Sequence, residues 1–162
     1  MIRPALLWWA GGTFAFDQAT KALVLYGLNL LERGRIEVLP PYLVFQMAWN
    51  EGINFGLLSG GDVTRWLLVV LAVAVSGWVL WWLRADERPL ALAAGGLLVG
   101  GALGNVLDRL VHGAVADFLN MSCCGIENPY VFNVADIAIF VGAVGLALLP
   151  SRAAGRDGAK RR

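Results

Sequence analysis

Asp117 and Asp136 are the residues of this chain with the most chemistry to offer. Asp117 lies just past one long apolar run, and Asp136 lies inside the next. An ionisable side chain in or at a bilayer is costly to hold, so it marks function and calls for a partner. Here the natural partner of each aspartate is the other. Like charges held close in a low dielectric share one proton, so one carboxyl stays ionised and the other neutral. The ionised member can take a proton from an attacking water, and the neutral member can donate to a carbonyl oxygen and then help an amine leave. Such an acid pair could hydrolyse a bond at the membrane surface, and its pKa values belong to both residues jointly.

Other polar residues gather near the pair. Asn133 and Asp136 stand three apart, on one helical face, and Asn105 stacks over both Asp108 and Arg109 at helical spacing. Asp17 and Lys21, four apart, share a face and can pair, which lowers the cost of both. With Asn50 they fall at one depth, on one side of the membrane. Taken singly, each has a plain structural reading: Asp17 with Lys21 as a packing pair, Asp108 with Arg109 as an interfacial anchor at a helix end. Gathering at one level from separate helices is harder to explain as packing.

Rival chemistries find little here. His112 is the only histidine, which removes a Ser-His arrangement and a multi-histidine metal site and places it at the interface near Gly113. Cys123-Cys124 is a vicinal pair with no second pair to complete a zinc site; on an oxidising side the two join each other or stay reduced. Ser59 with Lys21 has no spacing that supports a dyad.

The elements that must position these groups are membrane helices. Of 162 residues, 58% are hydrophobic and 15% charged, with a mean hydropathy of +0.64; soluble domains average about 25% charged. A net charge of +1 offers no basic face for nucleic acid. Runs 66–83 and 90–107 carry no charge and run 130–149 carries only Asp136, each long enough to span. The first run, 4–16, is interrupted by Asp17, Gln18, Thr20 and Lys21 before resuming at 22–31. A cleaved signal peptide competes for that run, but Asp17 and Lys21 stand where a small-residue cleavage site belongs. The expectation is an all-α membrane protein of one domain, 1–162, with helices at 4–26, 64–84, 89–111 and 130–149.

Lys and Arg placement orients it. Arg3, Arg84, Arg88 and the basic tail face the cytoplasm, while 111–129 holds no Lys or Arg and belongs outside. Outside too is 35–58, where β-favouring residues flank Pro40-Pro41 and predict a small sheet lying on the outer leaflet. The tail, 151–162, reads as disordered. The run Gly100-Gly101-Ala102-Leu103-Gly104 permits close helix contact.

Read together, these residues resemble a known family. Asp17-Gln18-Ala19-Thr20-Lys21, Asn50-Glu51-Gly52-Ile53-Asn54-Phe55-Gly56, Gly101-Ala102-Leu103-Gly104-Asn105-Val106-Leu107-Asp108-Arg109-Leu110, Val115-Ala116-Asp117-Phe118 and Phe132-Asn133-Val134-Ala135-Asp136-Ile137-Ala138-Ile139 look like the successive motif blocks of lipoprotein signal peptidase (signal peptidase II), in the family's order. The resemblance implies an aspartyl endopeptidase of the bacterial inner membrane. Such enzymes remove the signal peptide of prolipoproteins, cutting just before a cysteine that carries a diacylglyceryl group. By motif, Asp117 and Asp136 are the catalytic pair; Asn50, Asn105, Arg109 and Asn133 line the substrate groove; Asp17 and Lys21 support it. The outer sheet resembles the family's cradle over the site. No metal or organic cofactor is implied, and the partners are the lipidated precursor and membrane lipids, with a monomer expected. Asn54 stands where many members have a small residue, and Cys123-Cys124 falls in a variable stretch.

The expected enzyme spans the inner membrane with both termini cytoplasmic and its site on the outer side. An apolar flank for the lipid is placed among the second and third helices. The rival from another class is a small proton- or ion-coupled carrier, which would place charges at the midplane between two related halves; here they gather on one side and no repeat is visible. A noncatalytic subunit is the other rival, and it would tolerate Asp-to-Asn changes.

Overall fold

The computed structural model describes residues 2–52, 61–126 and 128–149. Asn54, Ser59, the far end of the 35–58 segment and the tail lie outside the described residues. Helix α1 (Pro4–Ala22) continues through a π-helical turn (Leu23–Gly27) into a short α2 (Leu30–Arg33), then strands β1 (Arg35–Leu39) and β2 (Leu43–Asn50). Helices α3 (Gly61–Leu83) and α4 (Pro89–His112), strand β3 (Val115–Asn120) and helix α5 (Val134–Leu148) follow.

Helix α4 is the axis of the bundle, packed against α1, α3 and α5. Its start has Pro at the first helical position, where a missing N–H costs nothing. It ends at Gly113, whose φ of +83° suits glycine and whose N–H closes on the Arg109 carbonyl at 3.2 Å. Small residues set its distances. A Cβ at Gly101 would stand 2.5 Å from the Ala135 carbonyl oxygen on α5, and one at Gly104 would stand 2.6 Å from Asp17 Oδ2 on α1. Neither site has room for a side chain.

Leu6, Val79, Leu83, Ala91, Leu92 and Val99 join α1, α3 and α4 in one buried cluster. Val24, Leu30, Phe118 and Leu119, with Phe45 packed on them, tie the sheet to the turn after α1. The outer face of α3 is the opposite case: Trp66, Leu67, Val70, Leu71, Trp78 and Trp81 are each at least half exposed. So long an apolar face needs a nonaqueous neighbour. Helices α3 and α4 are long and apolar enough to cross a membrane, while α5 is shorter.

The sheet differs from the expectation in one respect that matters. It has three antiparallel strands in the order β1-β2-β3, and the third comes from outside the 35–58 segment. Ala48 on β2 pairs with Asp117 on β3, and Asn50 with Val115, so the sheet carries Asp117 itself. Every residue of β3 is buried, so its sequence lacks the alternation that announces a strand. The last helix is also corrected, from a start at 130 to Val134. Phe132 is instead extended and pairs with Leu119 through backbone hydrogen bonds, and Asn133 caps the helix.

Candidate active site

Asn133 and Asp136 form a reciprocal capping box at the start of α5. The Asp136 N–H donates to Asn133 Oδ1 at 2.9 Å, and the Asn133 N–H donates to Asp136 Oδ2 at 3.2 Å. This local geometry satisfies two helix-end donors and aims the Asp136 carboxyl at the cap. The Asn133 side chain, fully buried, then reaches away from its helix. Its Nδ2 donates to Asp117 Oδ1 at 2.6 Å and to Asn105 Oδ1 at 3.2 Å. One residue is therefore bonded to both aspartates.

The remaining oxygens are also engaged. Asn105 Nδ2, from α4, donates to Asp136 Oδ1 at 2.9 Å, and Asn50 Nδ2, from β2, donates to Asp117 Oδ2 at 3.1 Å. Asn50 Oδ1 in turn accepts the Gly52 N–H at 3.2 Å. Arg109 Nη2 holds the Gly52 carbonyl at 3.1 Å, and its Nη1 the Asn105 carbonyl at 3.3 Å. The Arg109 Nε–H is buried and has no hydrogen-bond partner among the described residues. Asp117 is fully buried, whereas Asp136 keeps part of its surface open. Burial, with the Asp136 charge adding to it, pushes the Asp117 carboxyl up to about 7, against the opposing hydrogen bonds from Asn50 and Asn133 and the Lys21 charge. A carboxyl that titrates there, next to a second one, can hold the single proton that an acid pair needs.

Lys21 is buried and pairs with Asp17 at 2.8 Å as the helical spacing predicts. It also pairs with Asp108 at 2.7 Å, and Asp108 is 4% exposed. Asp108 is thus not the interfacial anchor suggested by its place near a helix end. Gln18 bridges the two carboxylates, with Nε2 at 3.0 Å from Asp17 Oδ2 and 3.3 Å from Asp108 Oδ1. Gln18 and Asp108 were missed as members of the site; their only sequence signal was being polar and close to Asp17, Lys21 and Asn105. The structure brings all eight sequence-derived residues together: Asp117, Asp136, Asn50, Asn105, Arg109, Asn133, Asp17 and Lys21 form one connected network. His112 stays apart, its ring 5.5 Å from that of Trp49, and Cys123 is joined to Cys124. Among the described residues no group of three His, Cys, Asp or Glu side chains could hold a metal.

The sequence model described as Signal peptidase (SPase) II matches residues 9–150. The chain belongs to the signal peptidase II family. It is 45% identical over 146 residues to a lipoprotein signal peptidase of Methylorubrum extorquens, covering 89% of this chain and 84% of that one. A lipoprotein signal peptidase of Rhodopseudomonas palustris is 44% identical over 135 residues, 80% of this chain and 81% of its own. A solved bacterial membrane enzyme superposes with a TM-score of 0.75 at 26% identity, over 97% of this chain and 91% of the other. A second solved bacterial membrane enzyme gives 0.73, also at 26% identity, over 88% and 90%. Signal peptidase II membership makes this chain a protease that cleaves lipoprotein signal peptides, and a bacterial membrane enzyme.

Proposed function

We propose that this signal peptidase II is an aspartic endopeptidase in which Asp117 and Asp136 share one proton and cleave diacylglyceryl-modified prolipoproteins just before the lipidated cysteine. The observation that carries the reading is Asn133, whose side chain and backbone are bonded to both carboxyl groups. The ionised carboxylate takes a proton from water as its oxygen adds to the scissile carbonyl carbon. The neutral carboxyl donates its proton to the carbonyl oxygen. When the tetrahedral species collapses, the C–N bond breaks, the leaving amine takes the proton collected from water, and the proton lent to the carbonyl oxygen returns to the pair as the C=O re-forms. No metal or organic cofactor takes part.

The chain crosses the membrane four times, through α1 with its π-helical turn, α3, α4 and α5, as a single domain with both termini cytoplasmic. The sheet and the aspartates lie at the outer surface, and the enzyme acts as a monomer among membrane lipids. Helix α4 supports a sideways opening. Gly95 meets α3 and Gly101 meets α5; at about 100° per residue, Asn105 and Arg109 fall on the arc between them. The precursor reaches the site through that gap, along the α4 face that α3 and α5 flank. Arg109, bonded to the carbonyls of Asn105 and Gly52, lines the groove beside the pair. A signal helix and lipid chains held in the bilayer present the bond at headgroup depth, where water also reaches.

Asp117→Asn and Asp136→Asn keep the size of the side chain and one accepting oxygen and lose the proton chemistry. Each should lower the cleavage rate of a synthetic diacylglyceryl precursor by about 10²–10⁴-fold while the protein stays folded in detergent. Cleavage at the normal rate by both variants would end the acid-pair reading. Chelators should leave the rate unchanged, and an activity lost to chelator and restored by a metal would overturn the metal-free reaction.

A further inference from the structure

The sequence offers Asp17 and Lys21 only as a supporting pair; the structure puts them in a three-member unit with a particular reach. Lys21 Nζ lies 2.8 Å from Asp17 Oδ2 and 2.7 Å from Asp108 Oδ2, with all three side chains at most 4% exposed. Each carboxylate then spends an oxygen on one backbone amide outside its own helix. Asp17 Oδ1 accepts the N–H of Ala135 at 2.9 Å. Asp108 Oδ2 accepts the N–H of Ala116 at 3.1 Å. Ala135 immediately precedes Asp136, and Ala116 immediately precedes Asp117.

We propose that Lys21, Asp17 and Asp108 are positioning residues which clamp the amides before Asp136 and Asp117 and so set the spacing and charge environment of the two reacting carboxyl groups. This rests on the acid-pair reading above. A single ammonium between two carboxylates ties α1, α4, β3 and α5 at one point. A buried ion cluster is weak as a means of stability, because apolar residues of similar volume often do as well. Its particular effect here is that both reacting residues are held through their backbones to one cation. Lys21 also reaches Asn105 Oδ1 at 3.4 Å, and Asn105 bonds Asp136 directly.

The charge of the unit gives a readout that mere packing would not. Among the described residues, the charged groups that act on the pair or on its Arg109 are Lys21 and Asp17 on α1 and Asp108 and Arg109 on α4. With two carboxylates against one ammonium, the unit carries one net negative charge. Asp17→Asn or Asp108→Asn removes a negative charge, so the shared proton leaves more easily. Lys21→Gln removes the positive charge, so the proton is held more tightly.

The test uses the full chain in lipid nanodiscs with a synthetic diacylglyceryl peptide, measuring kcat, KM and the pH profile of kcat. The expected result is a kcat loss of about 100-fold in each variant with KM nearly unchanged. The alkaline limb should move to lower pH in Asp17→Asn and Asp108→Asn, and to higher pH in Lys21→Gln. Thermal unfolding in the same nanodiscs reports whether each variant folds. Folded variants with unchanged kcat and unshifted limbs overturn the proposal, as do limbs that all move the same way. If all three fail to fold, the unit is a folding element and the proposal is likewise overturned. Asp117→Asn separates the two readings: if it still cleaves normally, the acid pair fails first.

Discussion

At the scale of single residues, Asp117 combines full burial with two amide donors and a neighbouring carboxyl. Its pKa is raised from 3.8 to about 7, chiefly by desolvation and then by Asp136. Below the unfolded value both states are protonated. Between 3.8 and about 7 the folded protein binds a proton that the unfolded chain has released, so its stability falls as pH rises through that window. Thermal unfolding in detergent should therefore show a higher midpoint at pH near 5 than near 8, and Asp117→Asn should flatten the difference. Cleavage should fall as pH rises through about 7, where the pair gives up its one proton. A rate that keeps climbing well above that pH would contradict a shared proton.

Among the elements, the contact of α4 with α5 is the one that sets the site. Gly101 lies against the Ala135 carbonyl, one residue before Asp136, with no space for a methyl group. Gly101→Ala should cost about 1–3 kcal/mol through overpacking, read as a lower unfolding midpoint, and should reduce kcat by moving the first turn of α5. Asn133→Ala removes the helix cap as well as the link between the aspartates. The cap alone is worth about 1 kcal/mol, so a far larger loss in kcat than in stability is expected. Equal and small losses in both would reduce Asn133 to a cap.

For the molecule as a whole, the proposed orientation makes a prediction that needs no substrate. After reduction, Cys123 and Cys124, exposed in the turn beyond β3, should react with a membrane-impermeant thiol reagent in intact spheroplasts. In a variant lacking both, a cysteine placed at exposed Ala85 between α3 and α4 should react only after permeabilisation. Labelling of both positions from outside would undo the four-crossing arrangement. What could be read before any coordinates were known is what depends on neighbours in the chain. Apolar runs mark α3 and α4, the four-residue step from Asp17 to Lys21 pairs them, and the three-residue step puts Asn133 and Asp136 on one side, although not as the cap and first turn that they form. These follow from backbone periodicity alone, and the ordered motif blocks led from them to the family. What stayed hidden was set by how distant segments cross. Asp108 meets Lys21, and Asn50 meets Asp117, only because α4 packs closely on α1 and because β3 joins the sheet. Strand β3 is buried on both faces, so no polar alternation reveals it. Tertiary packing decided which carboxylate holds which amide, because a side chain's partner across a helix crossing depends on three-dimensional distance rather than on spacing along the chain.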